Sequence, residues 1–205
     1  MTSDVVTIYG FSDNDRSGKV RWTACELGLP IEEKRLGIGE HRQPPYLELN
    51  PLAQIPTVIF RGQVWIESTC TCQLLAESFD EPKLWVGPGE PERASYLFWI
   101  SVFAETLEGR LVESALTKFG ILPGNHHELH EPVLRSKLAA LAAKLPAEGY
   151  LCGRFTVADI VAGYSLRLAL QLDLVPRERV LPYVERLRAR PAARESRIFA
   201  SLDAG

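Results

Sequence analysis

The chain has 205 residues, 46% of them hydrophobic and 24% charged, a composition that excludes a disordered polymer. Its 26 acidic residues against 23 Lys plus Arg give a formal net charge of -3, and without a basic stripe this argues against a nucleic-acid partner. No apolar run approaches the ~18 residues of a membrane span, the opening MTSDVVTIYG has no mark of a secretory leader, and the scattered Cys25, Cys70, Cys72 and Cys152 suit reduced thiols. The expected setting is cytoplasmic.

Residues 5–9, VVTIY, are β-branched and aromatic and predict a first strand. A polar loop runs from Gly10 to Arg16. From Ser17 the apolar positions Val20, Trp22, Ala24, Cys25 and Leu27 recur with helical spacing, with Ser17 as the expected N-cap and Gly28 as the C-cap. Residues 31–36, IEEKRL, predict a second strand. The loop from Gly37 to Asn50 carries a short helix over 46–49, set off by Pro44 and Pro45. TVIF (57–60) and QVWI (63–66) predict two strands joined by Arg61-Gly62, a hairpin link, and a helix follows over 68–79. The order β-α-β-α-β-β-α joins one right-handed crossover to an antiparallel hairpin, which is the order of a thioredoxin-like sheet.

Residues 80–91, DEPKLWVGPGEP, are dense in turn formers. Beyond them strand patterning vanishes, and helical periods run over 92–117, 133–145, 157–171, 179–189 and 193–202. The expected organisation is an α/β thioredoxin-like domain over 1–80, a linker over 81–91 and an all-α domain over 92–205.

Two motifs carry chemistry. In NPLAQIPTV (50–58), Pro56 cannot donate to a sheet ladder and belongs at the first position of a strand. An X-Pro bond there is one of the few places where a cis peptide costs little. A cis bond would turn the Ile55 backbone outward to pair with a short peptide, as an added strand does; a plain loop-to-strand turn is the alternative. In Glu67-Ser68, Ser68 is placed to N-cap a helix whose early N–H groups suit an anion, and Glu67 to accept from an ammonium. A simple N-cap is the alternative.

Taken together, NPLAQIPTV and the ESTCTCQLL that begins eleven residues after Pro56 resemble the glutathione-site signature of the glutathione-transferase family. GEHRQPPYLELNP resembles that family's loop after the second strand. YLCGRFTVADIVAGYSL resembles its helix-capping signature, with Thr156 and Asp159 as a capping box and Phe155 with Ile160 as a hydrophobic staple. LPYVERLRARPA resembles its closing helix. The resemblance runs over residues 5–200 and implies the fold above, glutathione as co-substrate and a homodimer. It implies that Ile55, ahead of a cis Pro56, bonds the cysteinyl backbone of glutathione. Glu67 and Ser68 would hold its γ-glutamyl end, and Gln54 and His41 its glycyl carboxylate.

One position departs from the pattern. In the serine-type, theta- and zeta-like members, a Ser six residues before the Val of helix one bonds the glutathione sulfur, and that position here is Asn14. An Asn amide donates to a thiolate but cannot act as a base. Ser17, at a helix N-terminus that favours S⁻, ranks second and Ser12 third. Tyr9 reads as a core strand residue. Cys70 and Cys72, about 200° apart on a helix, cannot share a metal. No C-x-x-C opens helix one, which argues against a dithiol oxidoreductase. His126 and His130 have i, i+4 metal spacing, but Pro123, Gly124 and Asn125 precede them and no carboxylate-histidine pattern completes a site. They read as a surface loop or substrate-site rim, and no metal is expected.

The function these features imply is activation of glutathione as a thiolate and its conjugation to a small electrophile. A free thiol titrates near ~8.5, and lowering that by ~2 units takes about 2.7 kcal/mol of preferential thiolate stabilisation. Phe98, Trp99, Phe103 and Phe119 are candidates to line the electrophile's site. The alternatives are a glutathione-dependent peroxidase or disulfide-bond reductase, and a non-catalytic protein-interaction module of the same fold.

Overall fold

In the computed structural model, which describes residues 4–81 and 83–203, the β-branched opening run becomes strand β1 (Val6–Gly10), the centre of a four-stranded mixed sheet. Strand β2 (Ile31–Arg35) pairs parallel with β1, in register Val6 with Ile31 through Gly10 with Arg35. On the other side β3 (Thr57–Phe60) pairs antiparallel with β1, Tyr9 opposite Thr57, and β4 (Gln63–Trp65) forms the edge. The β3–β4 turn uses Arg61 and Gly62 at φ 49° and 78°, the two positive values that a type I′ hairpin turn requires.

Helix α1 (Ser17–Glu26) crosses from β1 to β2 and packs on α3 (Ser68–Glu77), which follows β4. Gly28, at φ +65°, ends α1: its N–H donates to Cys25 O at 3.1 Å and the Leu29 N–H to Ala24 O at 2.9 Å. That closure needs a left-handed residue without a Cβ.

The chain forms two compact units, Met1–Trp85 with Arg190–Gly205, and Val86–Ala189. In the first, helix α9 (Pro191–Glu195) and the residues after it lie on α1. Arg190 donates to both Glu26 carboxylate oxygens at 2.7 Å, and the Arg21 guanidinium donates to Ser196 O at 3.2 Å. The Phe199 ring meets the fully buried Trp22 edge-on at 5.5 Å. Leu84 and Val86 are buried, so the stretch read as a linker carries core side chains of both units.

The second unit is helical: α4 (Arg93–Ser101), a π-helical segment over Val102–Glu108, α5 (Gly109–Lys118), α6 (His126–Ala142), α7 (Val157–Gln171) and α8 (Arg177–Arg188). Every residue of α7 from Val157 to Leu170 is buried, as expected of a helix that is apolar nearly all round. Its capping box forms as expected. The Asp159 carboxylate also accepts from Leu151 N–H at 3.0 Å and from the Tyr183 hydroxyl at 2.7 Å. Among the described residues no helix is long and apolar enough to cross a membrane.

Several sequence expectations change. Helix α2 (Pro44–Leu47) begins at the prolines rather than after them, since Pro suits the first helical turn, where an N–H has no partner. The single period over 92–117 is interrupted by the π-helical segment. Helix α6 starts at His126 and not at 133, because Pro132 is accommodated inside it. The last helical period, 193–202, splits into α9 and a 3-10 turn over Ala200–Leu202, divided by Arg197 at φ 60°.

Candidate functional site

The sheet topology gathers the candidate residues. Strands β1 and β2 run parallel, and β3 runs against β1 and β4. The loops after β1 and β2, the entry to β3 and the exit from β4 therefore all leave the same end of the sheet. Those segments carry Ser12, Asn14 and Ser17; His41; Gln54, Ile55 and Pro56; and Glu67 and Ser68. The N-termini of α1 and α3 open at that end too.

The loop after β1 is organised by a residue that the sequence reading passed over. The Asp15 carboxylate accepts from the backbone N–H groups of Phe11, Ser12 and Ser17, each at 2.7 Å. It does the capping expected of Ser17, which is instead the first residue of α1, with Arg16 at the cap and no side-chain cap bond there. Ser17 is fully buried. Its hydroxyl receives the Arg21 guanidinium at 3.2 Å and reaches Ser12 O at 3.5 Å. A Cβ on Gly10 would come within 2.8 Å of that hydroxyl, so β1 must end in glycine to admit it. The half-buried Ser12 accepts the Asn14 N–H at 3.2 Å. Of the three candidates only Asn14 is exposed.

The entry to β3 is held from behind. Ile55-Pro56 is cis. The Tyr46 hydroxyl donates to Gln54 O at 2.5 Å and meets the Thr57 hydroxyl at 2.7 Å. Asn50 Nδ2 donates to the same two oxygens at 2.9 and 3.1 Å, and Asn50 Oδ1 accepts the Leu52 N–H at 3.0 Å. Burial pushes the Tyr46 phenol up against the opposing pull of Thr57 and Asn50, so it stays a donor at neutral pH. Asn50 stands directly ahead of Pro51, an Asx-turn signal that points to its role. The Gln54 side chain is exposed while its carbonyl is engaged.

Glu67 takes φ 64°, ψ 97° and occupies the cap of α3 with no side-chain cap bond. This corrects the expected Ser68 N-cap: Ser68 is the first helical residue and is buried. A non-glycine residue held in this region costs about 1–3 kcal/mol and persists only where its surroundings impose it. His41 sits on a 3-10 turn, Glu40–Arg42, with its ring edge-on to Phe11 at 5.0 Å. Its buried Nδ1 has no hydrogen-bond partner among the described residues.

Two of the cysteines, Cys25 and Cys152, are poor candidates for an alternative nucleophile. Burial, then the nearby Glu195 carboxylate, pushes the Cys25 thiol up to about 12, and burial with Asp159 pushes Cys152 to about 11. The histidines read as a surface loop lie instead on the first turns of α6, and a carboxylate does stand beside them, that of Glu113 on α5.

Residues 16–78 match the family model described as glutathione S-transferase, N-terminal domain. Over 202 residues, 90% of each chain, the protein is 29% identical to glutathione S-transferase 3 of Zea mays. A theta class glutathione S-transferase of Xanthomonas axonopodis pv. citri, solved with glutathione bound, superposes with a TM-score of 0.73 at 26% identity, covering 93% of this chain and 96% of that one. A glutathione transferase of Phanerochaete chrysosporium, in complex with oxidized glutathione, shares the fold at a TM-score of 0.79 and 24% identity, covering 93% and 94%.

Proposed function

We propose that the chain is a glutathione S-transferase, which binds glutathione at this end of the sheet and transfers it, as a thiolate, to a small electrophile. The observation that carries the reading is the start of α3, where a strained Glu67 leaves the helix N-terminus without a side-chain cap. In this reading the first N–H groups of α3 and the Ser68 hydroxyl receive the γ-glutamyl carboxylate, and Glu67 accepts from its ammonium. The Ile55 main chain pairs with the cysteinyl residue. Gln54 and His41, whose Nδ1 lacks a hydrogen-bond partner among the described residues, reach the glycyl carboxylate.

Asn14 is the group proposed at the sulfur. It is exposed, whereas the Ser17 hydroxyl is buried and engaged. Its amide N–H donates to S⁻ while the thiol proton leaves to solvent. The thiolate pair then attacks the electrophilic atom and the leaving group departs with its own pair. The reading includes a cytoplasmic homodimer, which light scattering at micromolar concentration tests.

Calorimetry with glutathione, together with an assay panel of aryl halide, hydroperoxide and mixed disulfide, tests the function. Aryl-halide turnover is expected to dominate. Turnover confined to the peroxide or disulfide would move the reading to those reactions, and absence of glutathione binding would end it. Asn14→Ala should raise the pKa of the bound thiol, read from thiolate absorbance near ~240 nm, and cut turnover ~10²-fold, similar to the loss of an oxyanion donor.

A further inference from the structure

Within the second unit, α5 and α6 form an antiparallel hairpin whose turn is tied at several points. Thr117, one helical turn after Glu113 on α5, accepts the His127 N–H at 3.2 Å and meets His127 Nδ1 at 3.2 Å. The Ile121 N–H and Leu122 N–H both donate to Leu116 O, at 2.8 and 3.0 Å. These bonds fix where α6 starts relative to α5. With that register set, His126 and His130, one turn apart on α6, face Glu113, and both turn a ring nitrogen to the same oxygen. His130 Nε2 lies 3.0 Å and His126 Nδ1 4.0 Å from Glu113 Oε2. Gly124, at φ +103°, backs the His126 ring: a Cβ there would stand 3.4 Å from its Cδ2.

We propose that Glu113, His126 and His130 form a binding site for a borderline divalent transition-metal ion, zinc in the first instance, across the α5–α6 turn. The donor atoms of the three residues all lie within 4.8 Å of one another. A tetrahedral zinc with Zn–N and Zn–O near ~2.0–2.2 Å sets its ligand atoms about 3.3 Å apart, so the Glu113–His130 pair is already closer than that, the Glu113–His126 pair contracts by under ~1 Å, and the His126–His130 pair contracts by at most ~1.5 Å. Glu113 and His126 have about half of their side-chain surface exposed and His130 about a fifth, so the closure needs side-chain torsion and no backbone shift. Two imidazoles and one carboxylate leave at least one coordination position to water. Two nitrogens in a set of three select against magnesium and calcium, which take oxygen ligands. A bare Glu113–His130 ion pair would account for the 3.0 Å contact. It does not account for the second imidazole converging on the same oxygen.

The test uses the full untagged chain, stripped with a chelator, in buffer free of glutathione and other thiols. Calorimetric titration with zinc chloride should show one saturable equivalent that excess magnesium chloride does not compete away. Cobalt chloride should give the visible absorption of a nitrogen-ligated ion in place of the weak hexaaqua spectrum. Glu113→Gln, His126→Ala and His130→Ala should each weaken zinc binding at least tenfold, and His126→Ala/His130→Ala should abolish it. His127→Ala, whose ring faces Thr117, should retain it. Circular dichroism shows whether each variant is folded, and the wild-type cobalt spectrum carries the test if one is not. Zinc binding that survives in the double variant, loss only in His127→Ala, or no saturable binding by the wild type would each overturn the site.

Discussion

The two helices that open at the functional end of the sheet treat their N-termini in opposite ways. At α1 the free N–H groups and those of the preceding loop are met from within: Asp15 gathers Phe11, Ser12 and Ser17, and Ser17 is buried beneath them. At α3 the cap residue Glu67 makes no side-chain cap bond among the described residues and is held at a positive φ. A helix N-terminus attracts an anion through aligned N–H dipoles. Where the protein supplies the anion itself, the terminus is a structural fixture. Where it does not, the terminus is left for a ligand, and backbone strain is the cost. In the proposed reading the α1 terminus would contribute less to thiolate stabilisation than its position suggests, because a carboxylate already occupies it, and the exposed Asn14 would carry more of it.

This contrast can be broken at either helix. The largest effect should fall on ligand affinity at α3: Glu67→Ala and Ser68→Ala should each weaken glutathione binding by ~1.5–3 kcal/mol in calorimetry, and wild-type affinity in both would remove the ligand from α3. Next, Asp15→Ala should lower stability by about 2 kcal/mol, read from the urea midpoint, because it leaves three backbone donors unmet; a loss below ~0.5 kcal/mol would show that water serves them equally well. Ser17→Ala should lower stability by about 1 kcal/mol and leave the bound-thiol titration in place. A shifted titration would return Ser17 to the sulfur.

The smallest effect concerns the ion cluster beside α1. Burial alone would raise the carboxyl groups of Glu33 and Asp13, but Arg21 and Arg35 outweigh it at Glu33, and Arg35, Arg197 and Arg21 at Asp13, and hold both below their usual range. Folded-state values below the unfolded ones mean a contribution that is present above about pH 4 and lost on acidification through the folded values. The stability gap between wild type and Glu33→Gln, of order 0.2–1 kcal/mol at pH 6, should narrow as the pH falls and close once it has passed below the folded value. A gap that persists there would assign Glu33 a packing role.

What was legible in the sequence follows from how local each signal is. The alternating strands, the Arg61-Gly62 turn and Gly28 are decided by residues within a few positions, and they formed as read. The cis proline and the Glu67-Ser68 junction were legible through their shared resemblance to one family's signature. The roles of Asp15, Tyr46 and Asn50 were not, because each depends on which backbone atoms a folded loop brings to a side chain. Ser17 carries an ordinary N-cap signal, and Asp15, two residues ahead, outcompeted it. Pro132 concealed the start of α6, since a proline inside a helix reads as a stop. With that start displaced, the two histidines looked like loop residues, and Glu113, thirteen positions earlier, had no visible link to them.

The return of residues 190–203 to α1 imposes an order on synthesis. Helix α1 and its sheet emerge first, yet the groups that meet Arg21, Trp22 and Glu26 are Ser196, Phe199 and Arg190. Between Trp85 and Arg190 the ribosome must add the whole of the second unit, which takes roughly 5–20 s at typical elongation rates. For that interval the nascent first unit lacks the Phe199 ring that meets the Trp22 indole and the Ser196 carbonyl that meets Arg21. Its completion therefore waits on translation of the far end of the chain, and a ribosome stalled within the second unit would leave a sheet displaying that surface to chaperones.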